Sequence, residues 1–164
     1  MRTIYIILLI WCSFDGQAQI TFDPERDTLA ANTPQGLWKF RISEPILIQS
    51  ARMITPELSN VQDVRVQDIH GKPYLFFKGA QKDQPDTGFT VMIQLVEISK
   101  GIWKAGTIYQ ACWGALCSKC GFDEYWGCAC ERYDGPVEDA DTSMCNHMIA
   151  VGMGLGKVEV FEHR

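Results

Sequence analysis

The sequence predicts a mainly β protein: an antiparallel meander forming a single sandwich or partly open barrel, followed by a disulfide-rich C-terminal segment. Three observations carry this. Apolar and polar residues alternate with period two in several stretches between positions 37 and 111. Short runs of turn formers separate those stretches. Six of the seven cysteines lie between Cys112 and Cys145. Alternation marks strands with one buried face, and tight turns join such strands as hairpins. The 164 residues suit one domain. An apolar fraction of 46% with 21% charged residues excludes a disordered chain and a polytopic membrane protein. The net charge of −5 argues against nucleic acid as a partner, because a nucleic-acid binder needs a basic face.

The chain opens as a leader. Arg2 precedes an unbroken apolar run from Ile4 to Trp11. Eight helical residues rise about 12 Å, far short of a bilayer core, so the run reads as the apolar region of a signal peptide. Gly16 and Ala18 supply small residues for cleavage after Ala18, with residues 1–18 removed. A lipoprotein anchor at Cys12 is a minor alternative, because bulky Trp11 precedes that cysteine. Removing the leader takes away Arg2, Asp15 and Cys12, so the charge is unchanged and six cysteines remain. An even number in an exported chain is what a disulfide framework requires. The expected location is periplasmic or extracellular, with no transmembrane span in the mature chain.

The mature chain, 19–164, reads as one β-rich domain. Residues 19–36 are a polar lead-in with turn formers at Asp23-Pro24 and Asn32-Thr33-Pro34. The meander occupies 37–111. Trp38, Phe40 and Ile42 alternate with Lys39 and Arg41, Pro45 ends that pattern, and Ile46–Ile48 follows as a short apolar run. Pro56 and Ser59-Asn60 mark a loop. Val64–Ile69 and Pro73–Lys78 form a hairpin about His70-Gly71-Lys72. A polar connection, Asp83–Gly88, leads to Phe89–Ile98, with Phe89, Val91, Ile93 and Leu95 on one face. Ser99-Lys100-Gly101 turns into Ile102–Ala111. No long helical stripe is evident, so helix should be minor. Residues 112–147 are the cysteine-rich segment. Residues 148–164 read as a terminal hairpin with a Gly-rich turn.

Three chemistries compete for Cys112, Cys117, Cys120, Cys128, Cys130 and Cys145. The favoured one is disulfides. Neighbours two apart in an extended chain meet poorly, which disfavours Cys128–Cys130, and the other pairings stay open. Asp123–Trp126 could tip a hairpin between Cys120 and Cys128. The second is a [2Fe–2S] cluster. The spacing Cys112-x4-Cys117-x2-Cys120 resembles that of plant-type ferredoxins, with Cys145 as the distant ligand, and would imply electron transfer. The resemblance spans nine residues, places Trp113 where small residues are needed, and leaves Cys128 and Cys130 over. The third is zinc on Cys117, Cys120, Cys128 or Cys130, and His147. A redox Cys-x2-Cys pair at 117 and 120 would need a helix N-terminus, which Gly121-Phe122 does not offer.

The pattern Cys-x-Gly-x2-Cys-x2-Cys-x-Phe, then Gly-Cys-x-Cys, then Cys-Asn-His also resembles the tails of small exported Cys-rich bacterial proteins. That resemblance implies export and a shared cysteine scaffold, and no activity.

Other motifs are weaker. Gly152–Lys157 lacks the Ser or Thr and the earlier Gly of a phosphate loop. Glu138, Asp139 and Asp141 form an acidic loop without the glycine of a calcium loop. His147 is best read as a hydrogen-bonding residue. Tyr125 and Trp126 are candidates for an exposed contact surface. No catalytic residue is assigned. The expectation is an exported, disulfide-stabilised binding or structural module for an unknown protein or surface ligand. The alternatives are the electron-transfer protein and a secreted hydrolase without a recognisable motif.

Overall fold

A computed structural model describes residues 18–162 except Glu25, Pro34, 115–116, 123–124, Trp126, 134–144 and 152–153. The strands are β1 (Ala18–Phe22), β2 (Ala30–Asn32), β3 (Trp38–Phe40), β4 (Leu58–Ile69), β5 (Lys72–Gln81), β6 (Gln84–Ser99), β7 (Ile102–Gly114), β8 (Cys117–Phe122), β9 (Cys128–Tyr133), β10 (Cys145–Val151) and β11 (Val158–Glu162). One helix, α1 (Glu44–Ile54), precedes β4. The expected mainly β architecture is present, as an antiparallel sheet nearly closed into a barrel. Its order is β3-β2-β7-β6-β5-β4, and β10 also pairs with β7.

The meander forms because the alternation predicted from sequence points one residue set inward. Leu75 and Phe77 on β5, Phe89, Val91, Ile93 and Leu95 on β6, and Ala105, Tyr109 and Ala111 on β7 share one buried core. The 4–5 turn uses His70 and Gly71 at φ 52° and 76°, where glycine carries no Cβ penalty. The strands run longer than expected. Asp83–Gly88 is not a loop: Lys82 and Asp83 alone make the turn, and Gln84 already pairs with Gln81. A register shift beyond Ala80 lets residues 85–87 stand out of the ladder, which accommodates Pro85 without a lost hydrogen bond.

Ser59-Asn60, expected in a loop, lies within β4. The strand accommodates them by a register shift between Ser59 and Asp63, with Asn60 at φ 43°. Gly79 of β5 faces that irregularity. A Cβ on Gly79 would collide with the Ser59 carbonyl oxygen and lie 3.2 Å from that of Asn60.

The apolar run at 46–48 is not a strand. It belongs to α1, with Ser43 at the N-cap and Pro45 in the first turn, where proline's fixed φ is already helical. Its buried residues are Leu47, Ser50 and Ala51, with Ile54 half-buried. These four positions are i, i+3, i+4 and i+7, but a serine interrupts the apolar stripe and disguises it. Ser50 is buried because it is satisfied by the C-terminal segment: Gly156 N–H donates to the Ser50 carbonyl at 3.0 Å, and the Ser50 hydroxyl donates to the Gly156 carbonyl. Leu47 and Ala51 join the barrel core alongside Leu155 and Val158.

The expected terminal hairpin does not form. β10 pairs antiparallel with β7, and β11 pairs with β1 in a separate two-stranded sheet. The polar lead-in supplies β1 and β2. No helix among the described residues is long and apolar enough to cross a membrane. Replacing Gly79 by Ala should destabilise the fold by more than about 1 kcal/mol, because rigid backbone stands where the Cβ must go. Urea unfolding should show a lowered midpoint with an unchanged slope.

Candidate functional site

The cysteine-rich segment lies against one outer face of the barrel. On β7, Tyr109 and Ala111 point into the core, so Gln110 and Cys112 point out. Thr90 and Met92 of β6 pair with Cys112 and Gln110, and His147 of β10 pairs with Cys112 on its other side. Over this face lies the β8–β9 hairpin. It forms as expected, with Phe122 opposite Cys128 and Cys120 opposite Cys130. Phe122 anchors it, packing edge-on against Phe76 and against the His147 ring, with centroids 6.3 and 5.5 Å away. The Thr90 hydroxyl donates to the Cys120 carbonyl.

Two disulfides are present. Cys112–Cys128 ties β7 to β9, with Cα atoms 5.5 Å apart. Cys117–Cys130 crosses the hairpin, with Cα atoms 5.7 Å apart. The two close spans of 16 and 13 residues. Spans of that size contribute about 3 kcal/mol each by restricting the unfolded chain. Cys120 and Cys145 meet at 3.3 Å between sulfurs, in contact but not bonded. Cys112, Cys117 and Cys120 are fully buried, whereas Cys128, Cys130 and Cys145 are half-buried. All six expected cysteines therefore gather at one place.

The pairing bears on the metal alternatives. Of the four sulfurs considered for an iron–sulfur cluster, Cys112 and Cys117 are each joined to a cysteine outside that set. Of the zinc candidates, Cys117 and Cys130 are joined to each other. His147 Nε2–H donates to Gln110 Oε1 at 2.9 Å, the plain hydrogen-bonding role expected of it. Cys117 and Cys120 sit on a strand, not at a helix N-terminus.

A second arrangement lies at one end of the barrel. Thr55 and Glu57 follow α1, Gln81 ends β5, Phe89 lies near the start of β6, Trp113 lies near the end of β7, and Met148 is on β10. Together they line a cleft of about 260 Å³. Phe89 and Trp113 are direct cross-strand partners, stacked at 5.5 Å with planes 13° apart. Beneath them Thr55 Oγ1–H donates to the Tyr109 phenol oxygen at 2.6 Å, and both residues are buried. Burial holds the Tyr109 phenol above its ordinary 10.0, the Thr55 hydrogen bond opposes that rise, and the Glu57 charge adds to it. A larger cavity, about 440 Å³, lies between residues 104–107 and Gly154-Leu155, and many of its described lining residues are small.

The sequence put Phe89 on the apolar face of its strand, used Trp113 only as an argument against an iron–sulfur loop, and gave Thr55, Glu57 and Met148 no role. Only the shared end of neighbouring strands brings them together. Tyr125 is exposed at 78%, as a contact surface requires. Trp126, Cys12, the acidic residues 138–141 and the proposed leader through residue 17 lie outside the described residues. An additional aliphatic strip is exposed on β10, at Ile149 and Val151, beside Ile108 of β7.

Tyr109 predicts a pH dependence. Its folded pKa lies above the unfolded value, so its contribution to stability is complete below about pH 10 and is lost as pH rises through the folded pKa. Tyr109→Phe should cost about 1 kcal/mol at neutral pH through the lost hydrogen bond. It should also flatten the alkaline fall in stability, as read by denaturant unfolding from pH 8 to 11. Comparison of the chain with protein-family models, with curated proteins and with solved structures finds no match.

Proposed function

We propose that this protein is an exported, disulfide-stabilised binding module whose ligand enters the aromatic cleft at the end of the barrel. The observation that carries the reading is the placement of the sulfur cross-links. They brace a hairpin on the outside of a barrel that has its own apolar core. Cross-links of this kind persist in oxidising compartments and are rare in the cytosol. The apolar leader and the six remaining cysteines point to the same compartment. Bracing the outer face leaves the barrel end to hold a cleft of fixed shape.

The chemistry of the cleft suggests its ligand class. Its volume is slightly below the usual range for drug-sized ligands, so it suits a fragment-sized molecule. The stacked Phe89–Trp113 pair offers a flat apolar surface with an electron-rich face. Among the described lining residues Glu57 is the one ionisable side chain. An aromatic face beside a carboxylate favours a small organic cation with an apolar body.

Two measurements test the reading. Alkylation of the mature protein in non-reducing denaturant, followed by mass spectrometry, should leave most of the six cysteines unmodified. Labelling at all six, or iron with visible absorbance in the purified protein, would replace the disulfide framework with a thiolate site. For the cleft, benzylammonium titrated against the 15N-labelled protein should shift the Trp113 indole resonance. Benzyl alcohol should bind more weakly, and Glu57→Gln should weaken benzylammonium binding by roughly 3- to 10-fold. Equal binding of the charged and neutral probes, or none by either, would sink the cation assignment.

A further inference from the structure

Cys145 stands apart from the other sulfurs of the cluster. Its Sγ lies with those of Cys112 and Cys128 in a set whose members are all within 4.8 Å of one another. The same holds with Cys117 and Cys130. Cys145 therefore borders both disulfides at once, while also touching Cys120 at 3.3 Å. Cys120 joins neither of those trios. Cys145 is half-buried, and so are Cys128 and Cys130, one member of each disulfide. The strand pairings give the contact a mechanical meaning. Cys112–Cys128 links β7 to β9 and Cys117–Cys130 links β9 to β8, so a Cys120–Cys145 bond would link β8 to β10 and complete the chain of cross-links.

We propose that Cys145 is a thiol–disulfide exchange site: it closes the third cross-link with Cys120, and as a thiolate it attacks either neighbouring disulfide. This rests on the disulfide reading of the cluster. Closure uses a small-molecule disulfide as oxidant. The Cys145 thiolate attacks one sulfur of that disulfide and expels a thiolate, leaving a mixed disulfide on Cys145. The Cys120 thiolate then attacks Cys145 Sγ, expels the second small thiolate and forms the protein bond. Two protein thiols are oxidised, and one small disulfide is reduced to two thiols. Exchange needs no external electrons. The Cys145 thiolate attacks Cys130 Sγ, the Cys117–Cys130 bond breaks as the Cys130–Cys145 bond forms, and Cys117 leaves as the thiolate. Attack on Cys128 Sγ releases Cys112 in the same way. Such transfers require a thiolate close to a disulfide sulfur, and Cys145 Sγ lies within 4.8 Å of the sulfurs of both disulfides.

The two cysteines should behave differently when each is left without the other. In Cys120→Ser, Cys145 should exchange with both disulfides. Alkylation at neutral pH and peptide mapping under acid should then show Cys145 linked to Cys130 or Cys128, with label spread over several positions. In Cys145→Ser, the remaining thiol should stay at Cys120, and both original disulfides should persist. In the wild type, incubation with a reduced and oxidised glutathione mixture should give a Cys120–Cys145 peptide at equilibrium and transient Cys145-linked peptides on the way, which needs no variant to fold. Label confined to Cys145 in Cys120→Ser, with no transient species in the wild type, overturns the exchange site even if the framework stands. Six labelled cysteines in the untreated wild type instead mean that the disulfide reading has failed.

Discussion

The pairing of β7 is the constraint on which the rest of the structure depends. This strand takes β6 along one edge and shares its other edge between β2 and β10. Its inside-outside alternation then decides two environments together. Tyr109 and Ala111 complete the barrel core, and Cys112 is thereby held on the outer face opposite Thr90 and His147. A slip of one residue would exchange those faces and place a polar glutamine in the core and a tyrosine outside. The register is secured by the bulk of the inward side chains and by the Phe89–Trp113 stack at the strand's end.

Core and cross-links have separate tasks. The barrel buries a continuous apolar cluster to which α1 contributes Leu47 and Ala51. Among its described residues the β8–β9 hairpin has little apolar to bury beyond Phe122, and its sulfurs cluster with those of Cys112 and Cys145. A hairpin with so small an apolar face is only marginally stable alone, so covalent links replace the missing burial. The same hairpin screens the outer face of β6 and β7, leaving the barrel end at Thr55, Glu57 and Trp113 open.

Much of the fold was legible because meander strands are local. The hairpins of 64–78 and 89–111 have their hydrophobic period and their turns within one short stretch of sequence, and both formed. The failures share a cause. The helix at 44–54 hides because Ser50 sits in its apolar stripe, satisfied by Gly156 more than a hundred residues away. Ser59-Asn60 looks like a loop because the irregular strand that accepts it is visible only beside Gly79. The last two strands looked like a hairpin because they are adjacent in sequence, yet each finds a distant partner.

By itself the sequence determined the β class, the inward faces of the central strands and the concentration of reactive sulfur after position 111. Those properties are written in residue type and short-range period, which need no knowledge of the rest of the chain. Only the tertiary structure decided which cysteines pair, where β10 and β11 belong and that Glu57 and Trp113 line one cleft. Each of these depends on bringing residues far apart in sequence to the same edge or end of a sheet. That choice is set by the packing of the whole barrel, so no local pattern records it.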